Sequence, residues 1–292
     1  MTHQSKQVAT FIGFIAILLW ATLALFTTLT KGIAPFQLLF LSFFIGASIN
    51  LLWLILTRQL SGNLFNIPKQ AWLLSVSGLF FYHFFYFNAL ARAPEVEAGL
   101  IAYLWPLLIV VFSALLPGEH LRANHMIGAL LAFSGTAALI LFKGGKGIAF
   151  ESQYLSGYLF ALACALTWSL YSVFNRRFAR VPSATMAGFC YVVALLGLLS
   201  HILSDETWHN PTLQQWIGIL GLGIGPVGIA FFVWDYGTKH GNIQILGTLS
   251  YFAPLLSTLL LIFFTAAELT INVLLGCGGI IVGAIIAVLP KR

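Results

Sequence analysis

Residues 103–106 read Tyr103-Leu104-Trp105-Pro106, and they lie inside a stretch, Ala98 to Gly118, with no Asp, Glu, Lys or Arg. About 20 such residues are enough to cross a bilayer as a helix. Pro106 falls near the middle of the stretch. Proline brings no backbone donor, so the carbonyl of Ala102 loses its helical partner and the helix bends there. In lipid an orphaned carbonyl is costly, so such a break is tolerated where protein, water or a ligand meets it.

The pattern returns later. Ser250-Tyr251-Phe252-Ala253-Pro254 sits mid-way through another uncharged run, and both landmarks keep one offset: 251 − 103 = 148 and 254 − 106 = 148. Trp20 and Trp168, Phe26 and Phe174, Gly128 and Gly276, and Gly135 and Gly283 share it. Matching glycines are cheap. Two Trp, two Tyr and two Pro on one register are not. The chain reads as a duplicated unit, with a first repeat over 1–147 and a second over 148–292.

Composition agrees with a membrane setting. Of 292 residues, 60% are hydrophobic and 8% are charged, with a mean hydropathy of +0.95. A soluble domain carries about 25% charged residues. This excludes a soluble enzyme and predicts an all-α polytopic membrane protein. The net charge of +6 is then a topology signal rather than a sign of a nucleic-acid partner. Cys164, Cys190 and Cys277 all fall in apolar runs without a CxxC neighbour, so neither a disulfide framework nor a metal site is indicated. The apolar run Val8 to Leu29 is longer than a signal-peptide core and reads as the first span.

The charges leave ten uncharged runs long enough to cross: 7–30, 32–57, 70–91, 98–118, 123–142, 152–175, 181–204, 207–234, 240–267 and 269–290. Ten spans divide as five and five. Because five is odd, the second copy enters from the opposite side, and the repeats are inverted. In such proteins the substrate site is expected where the repeats meet near the midplane. On the side holding both termini the loops carry Lys6, Arg58, Lys69, Arg122, Arg176, Arg177, Arg180, Lys239, Lys291 and Arg292. The other side has Lys31, Arg92, Lys143 and Lys146. This asymmetry places both termini in the cytoplasm and the link from Lys143 to Gln153 outside.

Trp20 lies deep in the first span, although Trp prefers the membrane interface. Packing alone accounts for one such residue. A second, Trp168, at the equivalent depth raises the functional reading. In the third span Tyr82 and Tyr86 are four apart and share a face, which should point inward because their hydroxyls need partners. His83 beside them is a candidate proton carrier. With no acidic partner in sight, a neutral histidine hydrogen-bonded within the bundle is the favoured reading.

Gly223, Gly225 and Gly228 match GxGxxG, but they follow no strand and sit in an apolar run with Pro226. Close helix packing and a bendable helix fit better. Gly144-Gly145-Lys146-Gly147 lacks phosphate-loop spacing and reads as a flexible connection. Asp235, Glu119 and Glu268 fall at helix ends, where solvated charges are ordinary, so a coupling role for them is disfavoured.

Several chemistries have no residues to carry them. No pair of acids lies mid-membrane to hold a metal, no GxSG accompanies His83, and no nucleotide loop drives a pump. No cofactor is expected, and no catalytic residue is assigned. No Lys or Arg sits at the midplane for a phosphate or carboxylate. What remains is an aromatic, uncharged cavity suited to a neutral or zwitterionic substrate. A membrane-embedded enzyme is the disfavoured alternative.

Ten spans, two five-span repeats, and Glu95-Val96-Glu97-Ala98-Gly99-Leu100 leading into Tyr103-Leu104-Trp105-Pro106 resemble the drug/metabolite transporter superfamily, EamA type. The stretches from Val96 to Ser113 and from His240 to Ser257 carry the likeness most clearly, and Trp20 fits it. Within that type the chain looks like the exporters of aromatic amino acids.

The resemblance implies a basket-shaped bundle. Its first, third, fourth, sixth, eighth and ninth helices would line a central cavity, with the fifth and tenth at the edge. It also implies export of aromatic and other neutral amino acids by alternating access across the inner membrane. Substrate-binding candidates carried over to this chain are Trp20, Tyr82, Tyr86, Tyr103, Trp105, Pro106, Trp168, Tyr251 and Pro254. Export of other amphipathic metabolites or drugs is the alternative within the same fold. The expected partners are a small neutral or zwitterionic substrate and the surrounding lipids, and ten helices can close a bundle as a monomer.

Overall fold

The structure, a computed structural model, describes residues 3–62, 64–143, 151–265 and 271–289. The expected repeat boundary at 147/148, the Gly144–Gly147 stretch, Lys146, Glu268, Lys291 and Arg292 lie outside the described residues. Every regular element among the described residues is helical.

Nine helices there are long and apolar enough to cross a membrane: Gln4–Leu29, Pro35–Leu56, Lys69–Leu90, Glu95–Leu115, Ala123–Leu141, Ser152–Phe178, Ser183–Leu203, Leu213–His240 and Ile243–Leu260. The shorter apolar helix Val273–Val288 takes the tenth place. They are numbered here as spans one to ten, and each falls on one of the ten uncharged runs.

The spans pair across the repeats. The first packs on the eighth, the third on the sixth, the second on the seventh and the fifth on the tenth. The first two pairings are images of each other under the repeat, and the last two are their own images. Neither repeat closes a core alone. The main buried cluster draws on both, from Ile17 and Phe43 to Phe189 and Trp234.

The fifth and tenth spans show the inversion directly. A Cβ built on Gly128 would lie 2.5 Å from the Gly283 oxygen, and one on Gly135 would lie 2.5 Å from the Gly276 oxygen. Residue order rises along one helix as it falls along the other, so the two equivalent helices run antiparallel. Gly128 matches Gly276 in the repeat, yet touches the mate of Gly135. That reciprocal pattern is the mark of a two-fold axis between the helices, and only glycine permits so close a backbone approach.

Four spans are irregular, three of them around a proline. The fourth breaks at Tyr103 and Leu104, between helical pieces Glu95–Ala102 and Trp105–Phe112, with Pro106 in the first turn of the second piece. The ninth breaks at Ser250 and Tyr251, before Phe252–Thr265. The first breaks after Trp20, a discontinuity with no proline to announce it. The eighth contains a π-helix, Gly223–Ile229, around Pro226. Here the GxGxxG stretch does serve close packing: a Cβ on Gly46 would meet the Gly223 oxygen at 2.8 Å and the Gly228 nitrogen at 2.9 Å. Two carbonyls of this widened turn accept side-chain donors from the first repeat, Pro226 from Trp20 Nε1 at 3.0 Å and Gly228 from Asn50 Nδ2 at 3.1 Å.

Candidate transport site

The irregular first, fourth and eighth spans and the sixth meet at four tryptophans. Trp20, Trp105, Trp168 and Trp234 form a tetrad in which all six ring pairs approach within 5.0–6.3 Å. Trp20 and Trp168, equivalent residues of the two repeats, meet edge to face at 5.6 Å. Offset and edge-on geometries suit rings with negative faces and positive rims. Tyr82 extends the cluster from the third span, 5.0 Å from Trp168, and stacks on Tyr86 one turn further along. Tyr103 and Cys164 neighbour both tyrosines.

Burial is graded along the membrane normal. All four tetrad rings are nearly or fully buried, whereas Tyr82, Tyr86 and Tyr103 are half-buried. By their order along spans three and four, the tyrosines lie beyond the tetrad on the side away from the termini. The tetrad is thus the most buried layer of an aromatic cluster whose exposure rises toward that side.

The indole donors of the tetrad divide in two. Trp20 Nε1 is held by Pro226 and Trp234 Nε1 by Ser172 Oγ at 3.1 Å. The indole N–H groups of Trp105 and Trp168 have no protein acceptor among the described residues. Two indole donors without a protein acceptor among the described residues thus lie in a cluster that also holds three half-buried tyrosines.

His83 lies on the flank. Its Nδ1 is 2.8 Å from the Leu79 carbonyl, so this nitrogen carries the proton and Nε2 is the lone-pair side. Its ring packs among Phe43, Tyr82, Phe87 and Phe231 at 5.0–6.3 Å, with no carboxylate in contact among the described residues.

Tyr251 and Pro254 are placed elsewhere. Both are buried, and Tyr251 packs with Ala132, Leu139, Leu255 and Ile280 against the fifth and tenth spans, not on the tetrad. Its hydroxyl reaches into the break of the fourth span, accepting from Leu107 N at 3.1 Å and pointing at the Tyr103 carbonyl at 3.4 Å. The carbonyl of Ser250, which Pro254 cannot satisfy, accepts from Ala253 N at 3.1 Å.

Toward the termini the bundle is sealed. Glu119 takes Lys6 at 3.3 Å and Arg176 at 3.1 Å, and Arg176 also donates to the carbonyls of Gly241 and Thr238. Thr10 Oγ1 accepts from Asn242 N at 2.8 Å, and Gln244 donates to the His120 carbonyl. These bonds tie spans one, four, six, eight and nine together. On the far side, among the described residues, Tyr158 donates to Glu97, Gln215 to the Lys31 carbonyl, Phe36 N to Glu206 and Gln37 Nε2 to the His209 carbonyl.

One expectation fails here. Asp235 is not a solvated helix-end charge. Its side chain and that of Lys239 are each 1% exposed and meet at 2.8 Å. Asn175 donates to the second carboxylate oxygen at 2.9 Å, and Lys239 to the Val181 carbonyl at 3.0 Å. Spacing of four puts acid and base on one helix face, and partners from span six and the link that follows it meet further lone pairs and protons.

Trp234 and Phe231 escaped the reading of the sequence. The register could have found them, since 234 − 86 = 148 and 231 − 83 = 148 make them the repeat mates of Tyr86 and His83. Among the described residues no group of three His, Cys, Asp or Glu could hold a metal ion.

A helical bundle of two inverted five-span repeats, with broken helices around a buried aromatic cluster, defines the class of secondary membrane transporters. The EamA-like transporter family matches the chain twice, over residues 7–141 and 155–289, and both limits differ by 148. The chain belongs to that family.

Among its relatives is the aromatic amino acid exporter YddG of Ancylobacter novellus, 49% identical over 289 residues that cover 99% of each chain. The proteins of that name from Escherichia coli and Salmonella typhimurium are 28% and 26% identical, the former covering 94% of this chain and 96% of its own, the latter 99% of each. A solved crystal structure 48% identical in sequence superposes with a TM-score of 0.92, covering 97% of this chain and 98% of that one.

Proposed function

We propose that the protein exports aromatic and other neutral amino acids by alternating access, with both termini in the cytoplasm of a cell whose inner membrane it spans. The observation that carries this reading is the tryptophan tetrad, which we take as the floor of a substrate recess. Four tryptophans offer ring edges and faces, while the indole N–H groups of Trp105 and Trp168 are left without protein acceptors. An amino acid's aromatic ring would pack on Trp20 and Trp168, its carboxylate would accept from the free indole donors, and its ammonium group would meet tyrosine hydroxyls and ring faces. A cation over such a ring gains roughly 0.5–2 kcal/mol. The relatives named as aromatic amino acid exporters support the same substrate class.

Trp20, Tyr82, Tyr86, Tyr103, Trp105 and Trp168 form the substrate surface in this reading, with Pro106 shaping the break beside it. Tyr251 and Pro254 act from behind, on the helix break. His83, lacking an acidic partner, favours movement down a substrate gradient over proton coupling. The sealed side is the cytoplasmic one by the Lys and Arg asymmetry, so the recess faces outward.

Counterflow of labelled phenylalanine in proteoliposomes, with and without a pH gradient, tests this. Exchange that phenylalanine, tyrosine and tryptophan compete for, and that the pH gradient leaves unchanged, is expected. No counterflow by any neutral amino acid, or chemical conversion of the substrate by purified protein, refutes the reading.

A further inference from the structure

Tyr103 and Tyr251 are repeat mates, yet they do different things. In an unbroken fourth span the Leu107 amide would bond to the Tyr103 carbonyl, four residues back. Instead the Tyr251 hydroxyl is inserted into that turn, bonded to Leu107 N at 3.1 Å and near the Tyr103 oxygen at 3.4 Å. It replaces the missing helical bond, as a water would, at a depth where unmet backbone groups are costly. Tyr251 is fully buried in doing so. The Tyr103 hydroxyl has no hydrogen bond among the described residues, and its half-buried ring stands beside Tyr82 and Tyr86 in the recess.

Inverted repeats have the same local sequence in opposite orientations, so the shape one repeat takes in one state is open to the other repeat in the opposite state. We infer that Tyr103 and Tyr251 exchange places during transport. In the state open toward the termini, the Tyr103 hydroxyl enters the ninth span's break, between Leu255 N and the Tyr251 carbonyl. Tyr251 then leaves the fourth span and turns into the recess. Each tyrosine is a positioning residue in one state and a recess-lining one in the other. Each hydroxyl stabilises the state in which it bridges.

The consequence is an asymmetry of sign. Tyr251→Phe keeps the ring but removes the bridge of the present state, leaving Leu107 N and the Tyr103 carbonyl unmet. It should shift the protein toward opening on the terminal side. Tyr103→Phe removes the bridge of the opposite state and should shift it the other way. A net hydrogen bond in a dry site corresponds to about a fivefold change in the ratio of the two states. The double variant should return the ratio close to that of the parent. A structural role alone would make both single variants less stable and give no opposed shift.

The inference rests on the transport reading, and its test uses a separate readout. Spin labels go on a variant lacking the three native cysteines, at the exposed positions Gln7 and Arg122 on the terminal side, and at Lys31 and Arg92 on the other. Pulsed electron-spin distances in lipid nanodiscs report each side. With Tyr251→Phe the population with a long Gln7–Arg122 distance and a short Lys31–Arg92 distance should grow about fivefold. With Tyr103→Phe it should shrink. Single variants that shift the same way, or distances that do not move while phenylalanine counterflow persists in the parent, overturn the exchange and leave the transport reading standing. Loss of counterflow in the parent strikes the transport reading itself.

Discussion

Arg176, at the end of the sixth span, meets Glu119, after the fourth, at 3.1 Å, and so one residue from each repeat closes the terminal side of the bundle. Their repeat mates, positions 28 and 267, are Thr28 and Ala267. Neither mate is charged; among the described residues the opposite side is instead linked across the repeats by Glu206, which accepts from Phe36 N at 3.2 Å, so the two ends of an otherwise symmetric bundle are held by different contacts.

Replacing Glu119 by Gln should loosen the terminal side, because Lys6 and Arg176 lose their shared acid. Partly exposed pairs of this kind contribute about 1 kcal/mol, or roughly fivefold in a population ratio. A cysteine placed at Phe14, one turn further into the first span than the closure, should react with maleimide correspondingly faster in Glu119→Gln than in the parent. Unchanged reactivity would remove Glu119 from the closure. High salt should reduce the difference.

Trp168→Phe keeps a ring in the tetrad and removes one of the two free indole donors. Hydrogen bonds to a charged group contribute about 1.5–3 kcal/mol. Binding of phenylalanine should weaken by roughly tenfold or more on that scale, while binding of phenethylamine, which has no carboxylate, should change little. Trp20→Ala should act on a different axis, weakening aromatic ligands more than small neutral ones. Equal loss for phenylalanine and phenethylamine in Trp168→Phe would show that the indole N–H is not a carboxylate donor.

His83→Gln should retain most of the transport rate and the parent's dependence on pH. The reason is geometric: Nδ1 is committed to the Leu79 carbonyl, and aromatic rings surround the rest. Transport assayed from pH 5.5 to 8.5 in both proteins decides it. A pH-driven component present in the parent and lost in the variant would make His83 a proton carrier after all.

Asp235→Asn should strand the buried Lys239 ammonium, at a cost of about 3–5 kcal/mol. The melting temperature in detergent should fall by several degrees. The double change Asp235→Leu with Lys239→Met removes both charges and should recover much of the loss, since a well-packed apolar pair often matches a buried ion pair. If the double variant melts no higher than the single one, the pair contributes more than mutual neutralisation.

Much of this protein is legible from its residues in order. Lipid forbids unpaired charge, so the spacing of Asp, Glu, Lys and Arg alone marks ten crossings, and an odd number per repeat forces the inversion seen between Gly128 and Gly283. The 148-residue register, measured on Tyr, Trp and Pro, is the same one on which the family matches the chain twice. Deep aromatics at Trp20, Tyr82 and Trp168 stand out because hydropathy leaves them nowhere natural to go but inward.

Only the tertiary structure decided how these pieces meet. Proline at 106 announces a broken helix but cannot say that a hydroxyl from the other repeat, on Tyr251, bridges the break. Nor does it say that the equivalent hydroxyl stays free. Trp234, passed over in the sequence, is buried by the fold in the tetrad, and Asp235 reads as solvated until Lys239 and Asn175 close around it. The physical reason is common to all of these. Sequence periodicity reports which side of a helix avoids lipid, whereas the partner on that side comes from a span more than a hundred residues away or from a helix end, and a two-fold symmetric chain must still choose which of its two equivalent halves takes each role.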